Sequence, residues 1–237
     1  MVNIKYRIER LGEHLFGVVV PDDYDRSMLF LRAQEYIESP STRFRGKSFD
    51  IWTFIKWYSI QQSDPDSGFT YAKDWAGFNF PLSTALECYA KLRPEMVTSY
   101  DQVFLEMIDH ILRRVGRDSD IKKTYVIAYD KPRSVTMKHE LKHAAYFLDP
   151  KYRRLANKLI RELPHSLYDT LARNLRIMGY HKSQRNSEMH AYLVTRSDWN
   201  SPEFSKNTNK KMLKRVHQMF KAELEQGFKD FLETLNL

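Results

Sequence analysis

A single cysteine, Cys88, stands in a chain of 237 residues. No intramolecular disulfide can form, and no site can be built from several thiolates, so any bound metal must rest on histidines and carboxylates. No stretch is apolar for long enough to span a bilayer. The first residues, Met1-Val2-Asn3-Ile4-Lys5-Tyr6-Arg7, carry charge where a secretory signal needs an unbroken apolar run. A cytoplasmic protein with no membrane attachment is the expectation. Internal repeats, low-complexity tracts and Gly/Ser-rich linkers are also missing, which points to one domain rather than a string of modules.

What is present is a globular composition. Apolar residues make up 42% and charged residues 29% of 28.3 kDa, with 14 Tyr, 14 Phe and 4 Trp, enough to bury a substantial core and to exclude a disordered chain, a collagen or a coiled-coil rod. Lys and Arg number 38 against 30 Asp and Glu, a formal charge of +8 that draws a protein towards nucleic acid, an anionic surface or acidic substrates. Much of this charge lies in scattered pairs such as Arg113-Arg114, Lys122-Lys123 and Arg153-Arg154. Only 206–215 resembles a basic stripe, and no aromatic residues interleave with it, so these cations read as solvated helix faces before they read as a nucleic-acid site.

Strand-like runs at 2–8 and 14–20 flank Leu11-Gly12, and Pro21-Asp22-Asp23 caps a helix reaching about residue 37. A helix over 49–60 follows. Residues 61–81 read as an aromatic loop tied to a core or groove, then helices over 83–92 and 99–115, the second closed by Gly116. Thr124-Tyr125-Val126-Ile127-Ala128-Tyr129 is the most strand-like segment in the chain. Beyond it the pattern is helical, broken near 150, 164, 179 and 199–202, with an apolar stripe from Met212 to Leu235 that docks a last helix on its own core. The expected class is α+β, one domain over 1–237, in which a small sheet region (1–123) precedes a mainly helical half (124–237).

His139-Glu140-Leu141-Lys142-His143 fits H-E-x-x-H on a helix, with Thr136 as its cap. Residues four apart share a face, so both imidazoles can meet one ion while Glu140 stands beside it. Two neutral imidazoles and one further protein ligand suit Zn2+ and leave one position open to water. A metal-activated water with Glu140 as general base is the chemistry of peptide-bond hydrolysis. For the third ligand, Asp149 lies six residues past His143, but Asp149-Pro150 reads as an N-cap followed by proline at the first helical position. Downstream, Asn186-Ser187-Glu188-Met189-His190-Ala191-Tyr192 starts with a capping signal and forms a short helix. On it Glu188, Tyr192 and Thr195 share one face and His190 lies nearly opposite. Glu188 is the preferred ligand, packed across from the histidine helix through small Ala191, with His165, His181 and His190 in reserve.

The strand, the H-E-x-x-H helix and the glutamate helix together resemble the gluzincin branch of the zincin metallopeptidases, over residues 124–195, about a third of the chain. The resemblance implies a zincin-like fold and a zinc metalloendopeptidase, with zinc on His139, His143 and Glu188, Glu140 as general base and acid, and a peptide or protein substrate. It also implies that Tyr125 to Tyr129 is an edge strand to which an extended peptide adds. The spacing from His143 to Glu188 is longer than in thermolysin-like members, with two predicted helices between them. Tyr192, a turn after Glu188, would brace the ligand, donate to the oxyanion of the tetrahedral intermediate, or serve the core. The alternative is a zinc-binding protein without turnover whose basic surface holds nucleic acid or an acidic partner.

Overall fold

The computed structural model describes residues 2–61, 68–116, 118–195 and 202–237. In chain order its elements are β1 (Arg7–Arg10), β2 (Leu15–Val19), α1 (Asp23–Glu38), α2 (Ile51–Gln61), α3 (Tyr71–Asp74), β3 (Phe78–Pro81), α4 (Leu82–Ala90), α5 (Ser99–Val115), α6 (Asp118–Ile121) and β4 (Tyr125–Tyr129). Helices follow from there: α7 (Val135–Leu148), α8 (Pro150–Arg161), α9 (His165–Ile177), α10 (Arg185–Thr195), α11 (Pro202–Ser205) and α12 (Lys210–Glu233). This is a mixed α+β chain, and it divides into two compact units, Met1–Met137 and Lys138–Leu237. All strands among the described residues belong to the first unit, β4 included.

In the first unit the sheet order is β1-β2-β4-β3. β2 pairs antiparallel with β1 and parallel with β4, in the register Leu15↔Tyr125, while β3 pairs antiparallel with β4, Phe78 opposite Ala128. Both central strands are buried along their whole length, as expected of continuous apolar runs covered on two faces. The strand expected at an edge is therefore interior. β4 has neighbours on both sides, its backbone groups are already paired, and it has no free edge for a substrate strand. Gly17 on β2 is required by close approach, since an added Cβ would stand 2.6 Å from the Tyr129 hydroxyl oxygen.

Part of the 61–81 segment lies outside the described residues, as does most of the break expected at 199–202. The described remainder of 61–81 is more ordered than a loop: it holds α3 and β3, and Phe78 and Phe80 are fully buried. Phe30 of α1 packs on both rings and on Phe104 of α5. Residues 2–6, read as strand, lie outside β1. Asp22 caps α1 and Thr98 with Asp101 forms a capping box on α5, while Gly116 closes α5 at φ 86°.

The second unit is helical throughout its described residues. Asp149 accepts from the Lys151 and Tyr152 amides at the start of α8, so it is a helix cap as the sequence implied. Asn209 caps α12, which buries Leu213, Val216, Phe220 and Leu224 against its own unit. Gly179, at φ 97°, ends α9, and the next residue, Tyr180, returns its amide to the Leu175 carbonyl, which fixes where the Tyr180 side chain emerges. No helix among the described residues is long and apolar enough to cross a membrane.

Candidate metal centre

α7 starts at Val135, and its cap is Ser134, whose hydroxyl accepts from the Met137 amide; the expected cap, Thr136, is already helical. The consequence for the site is small, because the spacing of His139 and His143 is set by the helix and not by its first turn. Their Nε2 atoms lie 3.1 Å apart. Two nitrogen lone pairs at that separation repel, so a proton or a cation must sit between them.

Glu188 arrives from α10, which starts at Arg185, one residue before the expected cap; Asn186 instead donates its side-chain amide to Asn157. Glu188 Oε1 stands 3.4 Å from His143 Nε2 and Oε2 stands 3.8 Å from His139 Nε2. Ligands bound at about 2.0–2.2 Å in a tetrahedron stand roughly 3.3–3.6 Å apart. One donor atom from each of His139, His143 and Glu188 lies within 4.8 Å of the others. Glu188 Oε2 is buried with no hydrogen-bond partner among the described residues, a costly state that coordination relieves. The donor set and its spacing fit a divalent cation, and this group can hold a metal ion.

The electrostatics agree with that use. Burial, then His139 and His190, hold His143 well below the usual imidazole range, so it is neutral and free to ligate. Burial also raises the Glu188 carboxyl, with His139 and the Tyr180 hydroxyl acting against the rise. A bound metal ion would act against that rise, because it favours the ionised carboxylate. His143 and Glu188 are buried, whereas the His139 side chain is 16% exposed, which leaves the site approachable from that side.

Two residues that the sequence did not single out hold this arrangement. His143 Nδ1 lies 2.8 Å from the Ser187 hydroxyl. With Nδ1–H donating to that oxygen, the Nε2 lone pair is aimed at the ion position. Tyr180 approaches Glu188, and its hydroxyl lies 3.2 Å from that of Tyr192. A signal for Ser187 existed, since it directly precedes Glu188, but its position there also fits a helix-start pattern. Tyr180 had none, because only the turn after α9 brings it in.

The remaining expected residues sort clearly. Glu140 is 4% exposed on α7 and is not one of the three gathered donors. Tyr192 lies beside the site and in the core at once: its ring is 5.0 Å from that of His139 and stacks at 4.8 Å on Phe204. Among the reserves, His165 is exposed and pairs with Asp169, and the His181 ring nitrogen meets Ser183. His190 is fully buried, stacked on Tyr146 and bonded to the Lys142 carbonyl, and burial lowers it to about 3. None of the three belongs to the gathered set. Cys88 is buried, and burial pushes its thiol up to about 12, so it offers neither nucleophile nor ligand. Compared with family models, curated proteins and solved structures, the chain matches none.

Proposed function

We propose that the protein is a zinc-dependent metallopeptidase of gluzincin type, with His139, His143 and Glu188 as the zinc ligands on a zincin-like arrangement of helices. The observation that carries this reading is the triangle of two imidazoles and one buried carboxylate with an unsatisfied oxygen. The donor chemistry, two nitrogens and one oxygen with no thiolate, is that of hydrolytic zinc rather than of structural zinc sites. When bound, the ion supplies Lewis acidity and lowers the pKa of water at its open position.

The chain's own residues divide the remaining work. Glu140, next to His139 on α7, takes a proton from the attacking water and returns it to the leaving amine. Ser187 keeps His143 in the ligating tautomer, and Tyr180 with Tyr192 offers hydroxyls on the Glu188 side, where Tyr192 donates to the oxyanion as charge develops.

The test is Glu140→Gln in the full chain, with zinc measured by elemental analysis and cleavage measured on an unstructured protein. The expected outcome is one zinc per chain in both forms and a fall in kcat of about 10²–10⁴-fold in the variant. Stoichiometric zinc with no cleavage of any peptide by the wild-type chain sinks the peptidase reading and leaves a zinc-binding protein.

A further inference from the structure

Charge is divided unevenly between the two units. Residues 1–137 hold 19 Lys and Arg against 19 Asp and Glu, whereas residues 138–237 hold 19 against 11. The whole formal charge of +8 therefore belongs to the unit that contains His139, His143 and Glu188. Helix ends add to it. α9 and α12 have no acid at the cap or in the first turn, and α12 opens on Lys210-Lys211, so the partial positive charge at those two ends is not offset there as it is at α8 by Asp149. A positive field around a site raises the encounter rate of anions with it.

One cation in this unit is placed where its own helix disfavours it. Arg185 is the first residue of α10, at the positive end of the dipole. Its Nε is buried with no hydrogen-bond partner among the described residues, and it forms none of the ion pairs found there. Three residues on, one helical turn away, is Glu188, so the two side chains leave the helix on neighbouring positions of one face. Arg185 is half-buried, and among the described residues its guanidinium has no hydrogen-bond or ion-pair partner one turn from Glu188. It is matched to a carboxylate brought from outside, which a planar guanidinium binds through two parallel hydrogen bonds.

We propose that the metal centre acts on acidic polypeptide segments and that Arg185 docks a substrate carboxylate beside Glu188. This rests on the peptidase reading given above. Polypeptide is favoured over nucleic acid by what the second unit exposes: its exposed large apolar side chains among the described residues are Ile177 and Leu237, neither of them an aromatic ring on which a base could stack.

The experiment uses the full-length, zinc-loaded chain and one peptide core in four forms: flanked by Glu or by Gln, each with a free or an amidated C-terminus. Wild type is expected to cleave the Glu-flanked forms with kcat/KM about tenfold or more above the Gln-flanked forms, the ratio shrinking as salt rises. A preference that follows the free C-terminus instead, with no difference between Glu and Gln flanks, overturns the assignment to acidic segments. Arg185→Gln is expected to remove the preference by raising KM on the Glu-flanked peptides to that on the Gln-flanked ones, and Arg185→Lys to restore part of it.

A second readout does not need turnover: fluorescence anisotropy of the labelled Glu-flanked peptide on zinc-loaded Glu140→Gln, with tighter binding than the Gln-flanked peptide expected. Equal cleavage and equal binding of all four peptides overturns the substrate assignment while the peptidase reading stands. Zinc binding without any cleavage defeats the peptidase reading, and with it the substrate proposal. Displacement of the acidic peptide by short RNA or DNA at lower concentration than by unlabelled peptide identifies nucleic acid as the partner and also overturns the proposal.

Discussion

The two units solve the problem of burying charge in opposite ways. In the first, buried charge is matched inside the chain. Arg32, 1% exposed, gives Asp101 two parallel hydrogen bonds at 2.8 and 3.0 Å, and its other donors reach the Phe49 and Met96 carbonyls, while Tyr89 donates to the same carboxylate. The capping box that starts α5 uses that same Asp101. In the second unit the buried carboxylate, Glu188, keeps one oxygen without a hydrogen bond among the described residues, and it faces imidazoles rather than a permanent cation. Glu35 in the first unit also keeps a buried oxygen without a hydrogen bond among the described residues, so what distinguishes Glu188 is the pair of histidine nitrogens gathered beside it, a donor set suited to an ion from outside.

The contrast is open to attack at its strong end. Arg32→Ala leaves Asp101 buried without its counter-ion, and the expected destabilisation is about 3–5 kcal/mol. Three of the four tryptophans, Trp52, Trp57 and Trp75, lie in residues 1–137, so the urea midpoint by tryptophan fluorescence, read in a Trp199→Phe background, reports this loss. The zinc content of the natively prepared variant, measured at low temperature without denaturant, is expected to stay at one per chain. Loss of zinc together with the fluorescence midpoint would break the comparison, because matched charge in one unit would then be maintaining the incomplete site in the other.

A second prediction concerns Glu35, a buried acid of the first unit that meets hydroxyls rather than a cation. Burial pushes the Glu35 carboxyl up to about 7, with the Ser39 and Tyr71 hydroxyls acting against the rise. The folded chain thus holds this proton more tightly than the unfolded one, whose value is near 4.5. The stability gained is complete below about pH 4.5 and is lost as pH rises through 7, to a total of about 3 kcal/mol. The urea midpoint at pH 5 is expected to exceed that at pH 8, and Glu35→Gln is expected to reduce the difference. An unchanged slope in the variant shows that Glu35 is charged when folded and that the first unit, too, leaves an acid uncompensated.

How far these features could be read in advance depends on the range of the interaction that makes them. His139 and His143 are local, fixed by the pitch of one helix, and Glu188 was reachable because its own helix signals its start and its face. The position of β4 was not reachable: it is interior because β2, more than a hundred residues earlier in the chain, pairs with it in parallel. β3 hides for a related reason. Phe78-Asn79-Phe80-Pro81 is too short and too close to proline to declare itself as a strand, and only pairing with β4 makes it one. Arg32 and Asp101, 69 residues apart, carry no pattern that joins them. The same limit applied at the site, where Tyr180 depends on a turn after α9 and Ser187 is legible as a helix start but not as a partner of His143.

Ser187 gives the smallest expected effect and the finest probe of the difference between the units. If the site is a cation cage waiting for its ion, the hydroxyl at 2.8 Å from His143 Nδ1 is there to orient a ligand. Ser187→Ala should then lower zinc affinity by about 10–100-fold. Folding should hardly change, since Ser187 is only partly buried in a helix start where alanine is well tolerated. Competition against a chromogenic chelator measures the affinity, and thermal denaturation of the metal-free chain measures the fold. A variant that loses stability without zinc and keeps its zinc affinity would place Ser187 with Asp101, as one more internally matched polar group, and would leave His139, His143 and Glu188 to hold the ion without its help.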